Sequence, residues 1–154
     1  MKIKSSIVLL IIAFSVLGCS WTNHFMIVNE SDETITIRYT IEPPKKTFGI
    51  FSNLPSMYPL KKKQHIDWYA KLTTKDLDTN IAAVHIELPP KTVLIISELH
   101  NDNYEKYDQY FINGRSFNLG ELKITHANNE TTIVPNTFDD FFKKNNGNIS
   151  YVLK

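Results

Sequence analysis

Apolar residues fall on every second position in one stretch after another of this chain, and that two-residue period restricts it to strands. From Glu33 to Ile41, Ile35, Ile37, Tyr39 and Ile41 point one way and Thr34, Thr36, Arg38 and Thr40 the other. His24 to Val28 precedes it across Asn29-Glu30-Ser31-Asp32, a polar cluster suited to a hairpin turn. Ile66, Trp68 and Ala70 alternate with polar neighbours, which predicts a strand with Trp68 buried between sheets. Ala82, Val84, Ile86 and Leu88 repeat the pattern. Lys91 to Leu99 is almost continuously apolar, as in a central strand covered on both faces. Pro89-Pro90, unable to donate ladder hydrogen bonds, separates these last two strands. Leu119 to His126 and Glu130 to Val134 flank Asn128-Asn129, residues that tolerate the left-handed conformation of a tight hairpin. Ile149, Tyr151 and Leu153 form a last strand.

One helix is expected. Phe138, Phe141 and Phe142 stand at i, i+3 and i+4, with Asn136 or Thr137 as cap and Gly147 as stop. Seven or eight short strands and one late helix predict a mainly β chain: an antiparallel β-sandwich, immunoglobulin-like or transthyretin-like, with a short C-terminal helix. The alternative is a closed barrel. Bacterial lipocalins, which are also lipid-anchored, place a helix and a last strand after their barrel, although their Gly-x-Trp signature is missing where Trp21 follows Cys19-Ser20.

The first nineteen residues are of another kind. Lys2 and Lys4 give a basic start, Ile7 to Leu17 an apolar run, and Val16-Leu17-Gly18-Cys19 a small residue before the chain's one cysteine. The run is shorter than the roughly 20 residues a membrane span needs. It resembles the lipobox of bacterial lipoproteins, in which the cysteine is acylated and becomes the new N-terminus. The resemblance covers residues 1–19 only. It implies a cleaved signal at 1–18, lipidation at Cys19, a tether over 19–23 and a single domain over 24–154. It also implies a cell-envelope address, and Ser20 fits outer-membrane sorting under the enterobacterial rule, on the periplasmic or the outer face. No domain family is recognised in the remainder.

Cleavage would remove two of 17 basic residues and none of 16 acidic ones, leaving the mature chain near neutrality. A nucleic-acid binder would carry a basic domain or face, so that class is disfavoured. With the lone cysteine acylated, no disulfide is available, even in an oxidising compartment.

No catalytic motif is present: no Gly-x-Ser-x-Gly elbow, no His-Glu-x-x-His, no phosphate-cradling glycine loop. This favours a non-enzyme without cofactor or metal. His85 with Glu87, and His65 with Asp67, share strand faces as zinc ligands can, but so do ordinary residues on a solvated sheet. Asn101 to Asp108 is rich in oxygen ligands yet lacks the EF-hand order.

Two segments are candidates for contact. Tyr104, Tyr107 and Tyr110 recur at i, i+3, i+6, either as a stacking surface for sugar or peptide or as cover for the sheet end. Glu42 to Lys63 reads as a long loop with Pro43, Pro44, Pro55 and Pro59, and with Phe48, Ile50, Phe51, Leu54, Met57, Tyr58 and Leu60. Loops of that length are usually functional or disordered, and disordered ones are poor in aromatics. The candidate partner-binding residues are therefore Phe48, Ile50, Phe51, Met57, Tyr58, Tyr104 and Tyr107. The functional expectation is a lipid-anchored binding, assembly or adaptor module with a membrane lipid at Cys19 and an envelope protein or glycan as partner. The alternatives are a lipocalin-like carrier of a small apolar ligand and a cryptic envelope hydrolase.

Overall fold

A computed structural model describes residues 20–45, 48–61, 65–73 and 83–154. Signal residues 1–18 and Cys19 lie outside the described residues, as do Lys46, Lys62, Lys63 and Ala82.

Two open sheets pack face to face as a β-sandwich with one short helix. The strands are β1 (Thr22–Asn29), β2 (Ile35–Ile41), β3 (Phe48–Gly49), β4 (Phe51–Pro59), β5 (Ala83–Leu88) and β6 (Thr92–His100). They continue with β7 (Arg115–Ser116), β8 (Leu119–His126), β9 (Asn129–Ile133), β10 (Lys143–Asn145) and β11 (Asn148–Leu153). The first sheet runs β10-β11-β1-β6-β4 and the second β5-β2-β8-β9, while β3 and β7 form a small parallel ribbon. No barrel closes, so the lipocalin-like alternative is not the fold. The antiparallel expectation needs one correction in the first sheet, where β1 pairs parallel with β11.

Alternation sets the inner faces. Ile35, Ile37 and Tyr39 on β2, Val84, Ile86 and Leu88 on β5, and Phe25 and Ile27 on β1 meet Leu94, Ile96, Leu122, Ile124 and Ile133 in one core. β6 is central, between β1 and β4, and its other face supports a second apolar cluster. There Val93 and Ile95 pack with Met26 and Val28, partly covered by Tyr58, Leu60 and Ile66.

The turn after β1 is no hairpin. β1 and β2 belong to different sheets, and a buried Asn29 makes the corner. Its amide nitrogen donates to the carbonyls of Glu33 (2.8 Å), Leu88 (3.1 Å) and Pro89 (3.0 Å), while its oxygen accepts from Ser31 N (3.1 Å) and Oγ (2.6 Å). One side chain thus joins the β1–β2 and β5–β6 corners. In the β8–β9 hairpin the left-handed pair is Ala127 (φ 45°) and Asn128 (φ 67°), one residue earlier than expected.

Glu42 to Lys63 is not one long loop. Phe48–Gly49 and Phe51–Pro59 are strands, and β4 is the edge of the first sheet beside β6. The prolines fit this, because an edge strand has a free side where a missing N–H costs no ladder bond. Residues 65–73 form no strand; only Leu60–Ile66 and Met57–Leu72 make isolated bridges. Trp68 is correspondingly not buried between the sheets. It sits on a turn, 46% exposed, where Asp67 Oδ1 accepts from Tyr69 N at 3.3 Å. Three alternating residues are too few to hold a strand against an aspartate able to bond its own backbone.

The helix is a single turn, α1 (Phe138–Phe141), with Phe138 and Phe142 buried and Phe141 outward. Thr137 stands at its cap position, but its hydroxyl bonds Val134 and not the helix. Gly147 (φ 82°) does not stop the helix; it turns β10 into β11.

Candidate binding site

The outer face of the first sheet holds a marked depression among the described residues. β4 follows β6 in register at Phe51↔Ser97 and again at Ser56↔Ile95, so Ser52 to Pro55 bulge out opposite a single residue, Ile96. Pro55 cannot donate, and bulges are where strands accept proline. Asn118, itself buried, secures the start of the bulge: its Oδ1 accepts from Phe51 N at 2.8 Å and its Nδ2 donates to Phe51 O at 3.1 Å. A Cβ on Gly49 would overlap that amide, so glycine is required there. From the other layer, the Tyr39 hydroxyl donates to Ser52 O at 3.0 Å. The Ser97 hydroxyl donates to Ile50 O.

The bulge opens a cleft of about 450 Å³ between Leu54, Ser56 and Tyr58 on β4 and Ile95, Ser97 and Glu98 on β6, with Lys71 opposite. Beside it the Trp68 ring lies 5.0 Å from His24 and 5.4 Å from Tyr58, centre to centre. Glu98 reaches toward His24 (3.9 Å) and His100 (3.5 Å), and His100 Nδ1 bonds the Thr22 hydroxyl at 2.7 Å. The cleft therefore offers serine hydroxyls, one ammonium and one carboxylate next to aromatic faces. That set suits hydrogen bonding and stacking with a polar ligand or a peptide.

A second groove, of about 350 Å³, lies where β2 ends and β8 begins, between Glu42, Lys45, Tyr107, Tyr110, Arg115 and Phe117. The tyrosine segment beside it is tied to the core. Tyr104 is buried and donates its hydroxyl to Asp139 Oδ1 at 2.6 Å; burial and that carboxylate raise its pKa far above the ordinary phenol range. Tyr107 is half-buried, edge-on to Phe117 at 6.0 Å, and Tyr110 is exposed. The oxygens of this segment serve its own backbone: Asp102 accepts from Asn103 N and Ile112 N, and Gln109 from Glu105 N and Lys106 N.

The expected contact residues thus divide. Ile50, Phe51, Met57 and Tyr104 are buried in the core, and of these Ile50 also lines the floor of the first cleft. Phe48 is exposed at the β3–β7 ribbon, Tyr107 borders the second groove, and Tyr58 lines the first cleft. His85 and Glu87 face outward on β5, and Asp67 pairs with Lys61 at 3.0 Å. Among the described residues no three of His, Cys, Asp or Glu converge as a metal-holding group. Sequence reasoning missed Trp68 and Tyr69 as surface residues and missed the bulge, whose one local sign is Pro55.

Comparison with known proteins finds no matching family model, no matching curated protein and no matching solved structure.

Proposed function

We propose that this protein is a lipid-anchored cell-envelope module that works by binding, with the outer face of its first sheet as the partner surface. The observation that carries the reading is the exposure of Leu54 (60%), Trp68 (46%) and Tyr69 (98%) on the face and turn that border the cleft. Exposed apolar patches rimmed by polar groups mark interaction sites, and Trp and Tyr are favoured interface residues. The partner is an envelope protein or glycan. The anchor is the acylated Cys19, supported by the basic start, apolar run and lipobox-like end of residues 1–19. Three acyl chains, as that family carries, hold a near-neutral domain far more firmly than the marginal grip of one. The outer membrane is the proposed address, from Ser20.

The test is recovery of partners from native membranes with tagged wild-type protein and a Trp68→Ala/Tyr69→Ser variant. Loss of a specific co-purifying protein or glycan in the variant, which should still fold and melt cooperatively, is expected; equal recovery would refute the surface. Cys19→Ala should release the domain from membranes. If that variant still pellets after a high-salt wash, the anchor is elsewhere.

A further inference from the structure

We infer that one end of the sandwich lies flat on the bilayer through Trp21, Tyr110 and Ile112. This rests on the proposal that Cys19 is acylated and adds an orientation to it. Strand directions define the end: β1 starts there, β6 finishes there, and the hairpin between β10 and β11 turns there. Trp21 is 48% exposed, Tyr110 73% and Ile112 75%.

These residues are not loosely attached. Asn101 N donates to Trp21 O at 3.0 Å, and Trp21 N donates back to Asn101 Oδ1 at 3.2 Å. The next residue, Asp102, is buried and accepts from Ile112 N at 2.9 Å. The Trp21 and Ile112 backbones are thus fixed through two consecutive residues, and the end is a rigid surface.

Chain length names the occupant. Trp21 is two positions on from Cys19, a reach of at most about 7 Å. The headgroup region on each side of a bilayer is of similar depth, roughly 5–8 Å. A cysteine acylated into one leaflet therefore brings Trp21 to the headgroup layer, where Trp and Tyr are enriched because their rings are apolar and their N–H or O–H can stay hydrated. Charge at this end is mixed and largely engaged within the protein: Lys45 and Arg115 share a groove with Glu42 and Asp108, Lys106 pairs with Asp108 at 3.2 Å, and Lys144 donates to Tyr104 O at 2.9 Å. Contact is thus apolar and insensitive to salt. With the strands upright, the cleft and Trp68 face sideways, clear of lipid.

The chain has two tryptophans, so Trp68→Phe leaves Trp21 as reporter and Trp21→Phe leaves Trp68. The acylated proteins are reconstituted in phosphatidylethanolamine–phosphatidylglycerol vesicles whose acyl chains are brominated, and Cys19 acylation is read by mass spectrometry. Expected are a blue-shifted Trp21 emission, quenching of Trp21 well above that of Trp68, and no change on raising salt. Ile112→Ser, placed in the Trp21-only protein, should reduce that quenching while melting stays unchanged. Acylated protein in which Trp21 is quenched no more than Trp68, or in which Ile112→Ser has no effect, overturns the orientation alone. Absence of acylation overturns the anchor and the orientation together.

Discussion

The Tyr104 hydroxyl donates to Asp139 Oδ1 at 2.6 Å, and the other oxygen of that carboxylate accepts from Tyr107 N at 3.2 Å. A residue on the single helical turn thereby holds a loop that precedes it by more than thirty positions. Tyr104 also packs edge-on against Phe25 (4.9 Å) and Phe138 (6.0 Å), so the pair links the tyrosine loop to the centre of the core.

High pH should unfold this protein earlier than a chain whose tyrosines are solvated. Burial raises the pKa of Tyr39 and of Tyr104, the latter further through Asp139. The folded state therefore keeps both phenolic protons at pH values where the unfolded chain, with tyrosines near 10, has lost them. Stability from this source is intact below about pH 10 and falls above it, by up to about 1.4 kcal/mol per pH unit for each tyrosine. Urea melts across that range check the slope. Tyr104→Phe should flatten it, and an unchanged slope would assign the effect to other groups.

Asn29→Ala should cost about 2–3 kcal/mol, since it strands buried carbonyls at two corners at once. Chemical denaturation measures the loss. A change below about 0.5 kcal/mol, the usual range for surface sites, would mean the corners hold without it.

Phe48 and Phe51 should behave oppositely although three positions apart. Phe51 is buried against Phe25 and Phe117, so Phe51→Ala should cost about 3–5 kcal/mol. Phe48 is 61% exposed, and Phe48→Ser should stay within about 0.5 kcal/mol. Similar melting temperatures for the two variants would contradict the register of β4.

Trp68→Ala should lower stability by only about 1–2 kcal/mol, less than the 3–5 typical of a buried Trp, because the ring loses contacts with His24 and Tyr58 and opens no core cavity. A loss in the buried-Trp range would place Trp68 inside the sandwich after all.

The sandwich was legible where a strand's pattern reflects its own burial. β2 and β5 alternate cleanly, and the apolar run of β6 marks a strand covered on both faces. The candidate site was less so, because its shape depends on pairings between distant segments. Nothing local to Ser52-Asn53-Leu54-Pro55 states that Ile96 alone will oppose it, and nothing near Phe51 announces the amide of Asn118, 67 residues away. Trp68 is the converse case: its short period-2 run has the pattern of a strand, yet Asp67 bonds the backbone into a turn.

The parallel pairing of β1 with β11 carries a temporal consequence. β1 must wait for β11 before it has both neighbours, because Phe25 to Asn29 align with Ile149 to Leu153. Until β11 is synthesised, β1 presents one bare edge, and the buried side chain of Ile149 is missing from the core. Pairings this distant in sequence make folding slow, since the long loop must close before its contacts can stabilise it. The sandwich therefore stays incompletely paired until β11 has been made.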